Sequence, residues 1–421
     1  MDKPKKVVIT QNALHFLAGS EIVTLELAEH LQNNNVEVVV FTWYLAEPMA
    51  EEFRRRKIKV TTDENAEILK SPDLVWVHHQ VLPNAILEPL KNAKNSPTFI
   101  FFHMSSHTDL YLEQPYVYDL ETKLATKSLF VSKEAYDFAK ATYLNFDKLD
   151  AQIFPNFIPK QFAEPASRKG ALKKVLIVSN HPTPEFKKIV PALADKNIKT
   201  DVIGQIAKPS LVDYSTLNRY DVVIAIGKTV QYCLGMGLPV YVYDKFGGPG
   251  YLNAENFKAA EDKNFSGRGF ISKAASEIAK EITDGYDDAR AFQTKNREKF
   301  CERFSLENQL DALFGDLKPR EIDSFPEQYL SYAKSVEGIA KDKVIAENGL
   351  VVTLKECDKL RAAYDETAKK YNDLVKISEV HDRELERATH ELAEIKNRKS
   401  YNIIRGIDKV HKVIKGPKDD K

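Results

Sequence analysis

A Gly227-Lys228-Thr229 run stands where one apolar segment ends and a segment of helical length begins. The N-terminus of such a helix attracts an anion through its free N–H groups and its positive dipole end, and glycine lets a ligand approach the backbone closely. Lys228 adds a cation and Thr229 a hydroxyl group. After the next apolar segment, Gly247 and Gly248 begin a turn whose N–H groups are suited to binding a second anion. These residues predict two phosphate-facing loops; the alternative is an ordinary βαβ unit that uses glycines for its turns.

Length and composition limit the class of protein. A chain of 421 residues with 43% hydrophobic and 29% charged residues can bury two domain cores. It carries 61 lysines and arginines against 61 aspartates and glutamates, so we predict no nucleic-acid partner. The three cysteines lie far apart without zinc-like spacing, which favours a reducing compartment. The first residues lack the pattern of a signal peptide, and no apolar run approaches the ~20 residues that span a bilayer.

Two sets of alternating strands and helices position the candidate residues. The first set has predicted strands at 6–10, 36–42, 57–61, 74–78, 97–103 and 129–132, with a helix at 21–33. The second has predicted strands at 174–179, 200–204, 222–226, 238–243 and 269–272, with helices at 189–195, 274–286 and 289–317. This alternation predicts an α/β fold of two Rossmann-like domains, at 1–157 and 158–317, each with a parallel, doubly wound sheet. The turn after the first strand holds a single glycine, so the dinucleotide-binding fingerprint is absent from it.

Five segments of the sequence occur in an order that is characteristic of one family. They are LAGSEIVTLELAEHLQNNNVEVVVFT at 17–42, LFVSKEA at 129–135, NFIPKQF at 156–162, GKTVQYCLGMGLPVYVYD at 227–244 and RFSLENQL at 303–310. They resemble the glycine–glutamate turn with its helix and strand, the strand before the crossover, the linker, the donor-site helix and the closing helix of the GT-B glycosyltransferases. The closest resemblance is to family 4, the retaining enzymes. It covers about residues 5–317 and implies an N-terminal acceptor domain and a C-terminal domain for the nucleotide-sugar donor.

The sequence departs from the family at the donor site. Family 4 enzymes usually carry two glutamates eight positions apart, and the second binds the donor ribose. Aligned through the 237–239 turn, that second position is Tyr232, and the first position is not acidic either. Gln231 can supply a hydrogen bond, although a neutral amide is a weaker acceptor than a carboxylate. Either Asp244 or Glu255 binds the donor instead, or the protein is a degenerate member of the family. The two glycine-containing segments GPGYLNAENF and NFSGRGF that follow have a specialised sequence, which favours an active subfamily.

The resemblance also implies which groups take part in the reaction. A nucleotide sugar leaves as a diphosphate, whose developing charge must be met by cations and N–H donors. We expect Lys228, with Lys187 or Lys188 and with Arg268, in this role; a solvated helix start is the alternative for the two neighbouring lysines. His103, at a strand end, corresponds to a histidine that faces the sugar hydroxyls, and its alternative is a hydrogen-bonded core or loop histidine. We expect no metal and no cofactor, since the nucleotide sugar is itself the substrate.

The composition changes after residue 317. We predict a polar linker at 318–344, a coiled coil or helical hairpin at 345–398, and a basic amphipathic tail at 399–421. Apolar residues follow a 4–3 spacing as far as Val375, and a second stripe resumes out of phase at Leu385. This break favours a hairpin or an irregular oligomer over a long regular dimer. The tail carries isoleucines on one face and cations beside it, which predicts binding to an anionic membrane surface; docking onto the globular part is the alternative.

Together these features predict a cytoplasmic glycosyltransferase at the inner face of the plasma membrane. It would transfer a sugar from a nucleotide sugar to a growing, lipid-linked glycan acceptor of a bacterial cell-surface polysaccharide, and the coiled coil could assemble a homo-oligomer. One alternative is a catalytically silent GT-B subunit that organises partners through its coiled coil. Another is a GT-B enzyme of a different class, such as a polyol-phosphate transferase or a sugar-nucleotide epimerase.

Overall fold

The chain forms two compact units in a computed structural model, Met1–Asn348 and Gly349–Lys421. The structure describes residues 3–92, 96–107, 110–117, 119–167, 170–181, 183–204, 210–318, 320–322 and 325–414. The first unit contains both sheets, and the second is helical in its described part.

The N-terminal part of the first unit is built on a seven-stranded parallel sheet with the strand order β3-β2-β1-β4-β5-β6-β7. Its elements are β1 (Lys6–Leu14), α1 (Gly19–Asn33), β2 (Glu37–Leu45), α2 (Met49–Arg55), β3 (Lys59–Thr61), β4 (Leu74–His78), α3 (Asn84–Leu87), β5 (Thr98–His103), α4 (Leu120–Leu124), β6 (Lys127–Phe130), α5 (Lys133–Thr142) and β7 (Ala151–Ile153). All residues of β4 are buried because a parallel sheet is covered on both faces, which explains its continuous apolar run.

A five-stranded sheet with the order β12-β11-β10-β8-β9 forms the C-terminal domain. Its elements are β8 (Lys174–Val178), α6 (Pro184–Ala194), β9 (Lys199–Ile203), α7 (Tyr214–Leu217), β10 (Val222–Ala225), α8 (Lys228–Met236), β11 (Val240–Asp244), β12 (Gly247–Tyr251), α9 (Phe257–Glu261), α10 (Ala275–Asp284) and α11 (Tyr286–Phe304). All strands are parallel except β12. The predicted fold of two doubly wound sheets is therefore confirmed, whereas the strand predicted at 269–272 is a loop.

The predicted anion-binding turn at Gly247 and Gly248 is instead the start of β12, which runs antiparallel to β11. A Cβ atom on Gly248 would lie 1.9 Å from the backbone oxygen of Val242, so only glycine allows this close approach of the two strands. The glycines thus allow close strand packing at the sheet edge, and their role at an anion stays a prediction.

The chain returns to the N-terminal sheet after α11. α12 (Leu306–Asp316) contributes Leu306, Leu310 and Leu313 to the same buried cluster as Val7 and other residues of that sheet. The first turns of α13 (Glu327–Asn397) bury Leu330, Ala333, Ala340 and Val344 in clusters with β4, β5 and β2. The predicted domain end at 317 and linker at 318–344 therefore differ from the packing, in which α12 and the start of α13 cover the N-terminal sheet.

In the second unit, α13 continues without a turn to Asn397, so the range predicted as a coiled coil or hairpin is one helix. It is followed by α14 (Lys399–Ile414), in which Ile403, Ile404, Ile407 and Val410 are each about three-fifths exposed. Among the described residues, the helices are too short or too polar to cross a membrane.

Candidate functional site

The order of the strands reverses at one point in each sheet. β1 lies between β2 and β4, and β8 lies between β9 and β10, so successive connections leave these strands in opposite directions. In doubly wound sheets, ligands bind outside the carboxyl ends of the strands at such a point. The loop after β1 leads to Gly19 and the loop after β10 leads to Gly227, and both glycines line the same cavity.

This cavity has a volume of about 220 Å³ and takes its walls from both domains. It is lined by Gly19, Ser20, Met104, Ser105, Glu113, Val131, Asn156, Gly227, Lys228 and Asn264. Pockets that enclose a drug-sized ligand measure about 300–1,000 Å³. With the domains in this arrangement, the cavity can therefore enclose only a fragment of a ligand the size of a nucleotide sugar.

Glu21 shapes the loop that brings α1 to the cavity. One of its carboxylate oxygens accepts hydrogen bonds from the backbone N–H groups of His15 at 2.9 Å and Phe16 at 3.0 Å, and the other accepts one from Ala18 at 3.2 Å. The side chain is buried. Because the carboxylate holds three backbone donors of the tight loop, Gly19 begins the helix at a defined place on the cavity wall.

Gly227 forms the other helix N-terminus of the site. Its φ of 56° and ψ of −131° suit glycine, and no atom lies within 4 Å of the place where a Cβ would stand. In the first turn of α8 the N–H of Val230 donates to the backbone oxygen of Gly227 at 2.9 Å, whereas the N–H groups of Lys228 and Thr229 precede the first acceptor of the helix. Thr229 is half-buried in this first turn. The helix start therefore has the open backbone expected of an anion site.

Lys228 is buried, and its ammonium group contacts other parts of the protein. Its Nζ lies 2.7 Å from a carboxylate oxygen of Glu26 on α1 and donates to the backbone oxygen of Phe157 at 2.6 Å. It also lies 3.7 Å from the ring centre of Phe157. Burial lowers the pKa of Lys228 and raises that of Glu26, and each charge opposes the shift of the other. The expected diphosphate cation is thus, in this structure, one half of a buried ion pair between the domains.

Tyr232 lies on the same inter-domain contact. Its hydroxyl donates to Glu26, and its ring stacks on Phe162 with 3.8 Å between ring centres. Burial is the main cause that raises the pKa of Tyr232. Gln231 is buried as well, and its amide nitrogen donates to the backbone oxygens of Gly227 at 2.6 Å and Lys228 in the orientation that satisfies it. Both side chains are therefore engaged by protein groups, and their predicted contacts with a donor nucleoside stay predictions.

Arg268 also joins the two domains. Its Nε donates to Glu134 on α5 at 2.8 Å, a second guanidinium nitrogen contacts the same carboxylate, and a third lies 3.2 Å from Nε2 of His107. Lys187 and Lys188 are exposed on α6, and no ion pair holds them within the described residues. Of the predicted cations, only these two lysines point into solvent, and a role of any of them at a diphosphate stays a prediction.

His103 is buried at the end of β5. Its Nε2 lies 3.0 Å from Glu121, its Nδ1 lies 3.4 Å from the hydroxyl of Tyr143, and its ring stacks on Phe130. Ser105, two residues further on, lines the cavity in its place. This arrangement matches the alternative of a hydrogen-bonded core histidine, and the catalytic assignment of His103 stays a prediction.

Several residues of the site were not predicted from the sequence. Glu26, Glu134 and Asn264 form contacts between the domains, including a hydrogen bond of 3.0 Å between Asn264 and Asn156. One signal for Glu26 exists in the sequence: it stands inside the most apolar stretch of α1, where a buried carboxylate requires a partner. Asp244, an alternative ribose acceptor, is buried and accepts hydrogen bonds from Ser179 and His181 at 3.1 Å. Glu255, the other alternative, is exposed.

No protein-family model matches the sequence, and no curated protein matches it. Several solved structures have a similar fold, and they are glycosyltransferases. One is a glycosyltransferase from Rickettsia africae, with 13% identity and a TM-score of 0.48 over 74% of this chain and 97% of that chain. WaaG, a glycosyltransferase involved in lipopolysaccharide biosynthesis, has 11% identity and a TM-score of 0.44 over 75% and 100%. The lipopolysaccharide outer core galactosyltransferase WaaB has 13% identity and a TM-score of 0.43 over 74% and 100%.

At these identities the likeness concerns the fold alone. The two-domain Rossmann-like architecture of this chain is defined by its own two doubly wound sheets. Membership of family 4 and the retaining mechanism stay predictions.

Proposed function

We propose that this protein is a retaining glycosyltransferase that uses a nucleotide-sugar donor. The acceptor would be a growing, lipid-linked glycan of a bacterial cell-surface polysaccharide. One observation carries the proposal: the helix start at Gly19, which follows the reversal strand β1, and the helix start at Gly227, which follows β10 beside the reversal strand β8, line one inter-domain cavity. A diphosphate is the ligand chemistry that such helix N-termini favour.

In this proposal each wall of the cavity binds a different part of the donor. The start of α8 would bind the donor diphosphate through backbone N–H groups, which need no charged side chain. The loop shaped by Glu21 would bring Gly19 and Ser20 against the sugar, and Ser105 and Glu113 would offer polar groups on the same wall. The missing acidic pair at the ribose position is compatible with this arrangement, because the diphosphate supplies most of the charge to be recognised.

A steric block at Gly19 tests the proposal. We expect Gly19→Leu to weaken the binding of a nucleoside diphosphate at least tenfold, or about 1.4 kcal/mol, because the added side chain enters the cavity. No atom lies within 4 Å of a Cβ at this helical position, so the backbone should tolerate the change. Calorimetry with UDP, GDP, ADP and dTDP identifies the base, and hydrolysis of the corresponding nucleotide sugars without acceptor measures activity.

Gly315→Leu is the matched control, since Gly315 is also helical, exposed and free of atoms within 4 Å of an added Cβ. It should bind nucleotide as the native chain does. Equal affinity of the Gly19 variant and the native chain would place the nucleotide outside this cavity. Conversion of one nucleotide sugar into its isomer would instead support an epimerase.

A catalytically silent subunit is the second candidate. The observation that favours it is the pairing of two expected donor cations with protein carboxylates, Lys228 with Glu26 and Arg268 with Glu134. If no nucleotide of the panel binds and no nucleotide sugar is hydrolysed, this candidate is supported and the enzyme proposal fails.

We further propose that α14 binds the anionic surface of a membrane, where a lipid-linked acceptor would lie. Its exposed Ile404 and Ile407 would enter the interface while Arg405 and Lys409 meet lipid phosphates, at ~1 kcal/mol for each cation. Full-length protein should therefore sediment with vesicles of phosphatidylglycerol and phosphatidylcholine, and less so as salt screens the charges. The double variant Ile404→Asp/Ile407→Asp should stay in the supernatant.

Val352→Asp is the control for this experiment, because Val352 is an exposed apolar residue on α13 and should not affect sedimentation. If the native chain ignores anionic vesicles at low salt, the membrane proposal is wrong, and α14 is better explained as a helix that docks onto protein.

A further inference from the structure

The exposed half of α13 carries two apolar columns that no described part of the chain covers. One column advances in steps of seven residues: Leu350, Cys357, Tyr364, Tyr371, Ser378, Leu385 and Leu392. The other follows it three residues later: Thr353, Leu360, Thr367, Leu374, His381, Ala388 and Ile395. Leu360 is 63% exposed, Tyr364 73% and Leu385 67%. These columns are the a and d positions of a heptad repeat.

Because α13 is one continuous helix, a single heptad frame applies along its exposed half. In the sequence, the two apolar stripes look out of phase. They share one heptad frame when Leu354 and Val375 are assigned to e positions, which flank the seam formed by the a and d columns. The seam spans about six heptads, or ~68 Å at 1.5 Å per residue. A heptad pattern sustained over about three to four heptads already indicates a coiled coil, and the pattern in α13 is longer. An isolated helix of this kind would leave its apolar stripe in water, so the stripe requires a partner.

We infer that α13 pairs with α13 of a second copy of the chain, in parallel and in register. The charges beside the seam select this partner. In a parallel pair each g position faces the e position five residues later in the other chain. Glu356 then meets Arg361, and Glu391 meets Lys396, while none of the remaining g and e pairs along the seam joins like charges.

An antiparallel pair is disfavoured by the same residues. Its g positions face g positions, so full overlap of the two seams brings Glu356 close to Glu384 or Glu391 of the other copy. Its e positions face e positions, where Arg361 approaches Asp382, so the antiparallel pair combines like and opposite charges while the parallel pair has only opposite charges. Like charges in such positions destabilise the pair. The polar layer of Ser378 and His381 interrupts the seam and fixes the register, because a slip by one heptad would bury these groups against apolar residues.

The parallel register places Cys357 against Cys357, since residues at an a position meet their own counterparts across the seam. A disulfide forms only where the two Cα atoms lie within about 7 Å of each other. Cys357 is exposed in the single chain, whereas Cys233 is buried and Cys301 is half-buried. Crosslinking through Cys357 therefore reports both the direction and the register of the pair.

The experiment combines mass measurement with thiol oxidation on the full-length protein. Light scattering should give twice the 47.8 kDa of one chain. Diamide, which accepts two electrons and two protons from each pair of thiols, should convert most of the protein to a covalent dimer on a non-reducing gel. Cys357→Ser should abolish the covalent dimer and keep the doubled mass, and Cys301→Ser should change neither result.

The double variant Leu374→Asp/Leu385→Asp, at one d and one a position, should reduce the mass to that of one chain. Val380→Asp is its matched control, because Val380 is an exposed apolar residue at a c position away from the seam. A single-chain mass for the native protein at tens of micromolar overturns the inference. So does a doubled mass that is never accompanied by crosslinking through Cys357, since that result requires an antiparallel or shifted pair.

Discussion

Glu26→Ala is expected to lower the free energy of unfolding by about 3–5 kcal/mol, because it leaves the buried ammonium of Lys228 without its carboxylate. The pair is 2.7 Å apart, and both side chains are less than a tenth exposed. The hydroxyl of Tyr232 loses its acceptor in the same variant. Urea denaturation of the native chain and the variant, followed by circular dichroism, measures the difference.

Two further variants show whether the loss comes from the ion pair. Glu37→Ala removes an exposed carboxylate that pairs with Lys59, and it should cost less than about 1 kcal/mol. Glu26→Leu combined with Lys228→Met replaces both charges with apolar groups and should recover most of the stability. If Glu26→Ala costs no more than Glu37→Ala, the contact between α1 and α8 does not depend on this pair.

The pairing with Glu26 also determines whether the ammonium group of Lys228 is available to a ligand. If its ammonium binds the donor diphosphate, the ligand must compete with Glu26 for it. Lys228→Ala should then weaken nucleotide binding by about 1.5–3 kcal/mol, and Glu26→Gln should strengthen it, because the competing charge is gone. Calorimetry with the nucleoside diphosphate found to bind measures both effects. Unchanged affinity in both variants would leave Lys228 a purely structural residue.

Glu337→Gln is expected to stabilise the protein at neutral pH by about 1–3 kcal/mol, because the amide has no proton that the folded chain must retain at a cost of about 1.4 kcal/mol for each pH unit above the ordinary pKa. Glu337 is buried where α13 packs on the N-terminal sheet. One of its carboxylate oxygens accepts from the hydroxyl of Tyr116 at 3.2 Å and from the N–H of Leu82 at 3.4 Å; the other has no partner among the described residues. Burial raises the pKa of Glu337 well above its ordinary value of 4.5.

The sign of the pH dependence follows from this shift. Above pH 4.5 the unfolded chain releases the Glu337 proton while the folded chain retains it. The contribution of Glu337 to the free energy of unfolding is therefore fully present below that pH and is lost as the pH rises towards the folded-state pKa. The amide of the Glu337→Gln variant does not titrate, so the advantage of the variant in urea denaturation should grow from pH 5 to pH 8. Glu347→Gln, at an exposed position of the same helix, should show no such trend, and an equal trend in both variants would contradict the assignment.

The local sequence was sufficient to predict the two sheets. Apolar runs such as 74–78 and 222–226 have the length and the uninterrupted burial of parallel strands, and helical segments separate them. The place of Gly227 at a strand end could be predicted for the same reason. The heptad columns of α13 are likewise present in the sequence, because they depend only on the spacing along one helix.

Contacts between distant residues could not be predicted in this way. The partner of Tyr232 is Glu26, 206 residues earlier, and no local period relates the two positions. The return of α12 to the N-terminal sheet and the use of Gly248 for close strand packing also depend on how finished elements pack together.

Periodicity and strand length encode which faces of an element are buried, so the two doubly wound sheets and the position of the candidate anion site could be predicted from local sequence. The pairing of Lys228 with Glu26 and of Arg268 with Glu134 is visible only in the folded protein, as is the placement of Ser105 rather than His103 at the cavity. These contacts could not be predicted because a buried charge or hydrogen-bonding group takes whichever partner the packing of the domains brings within reach.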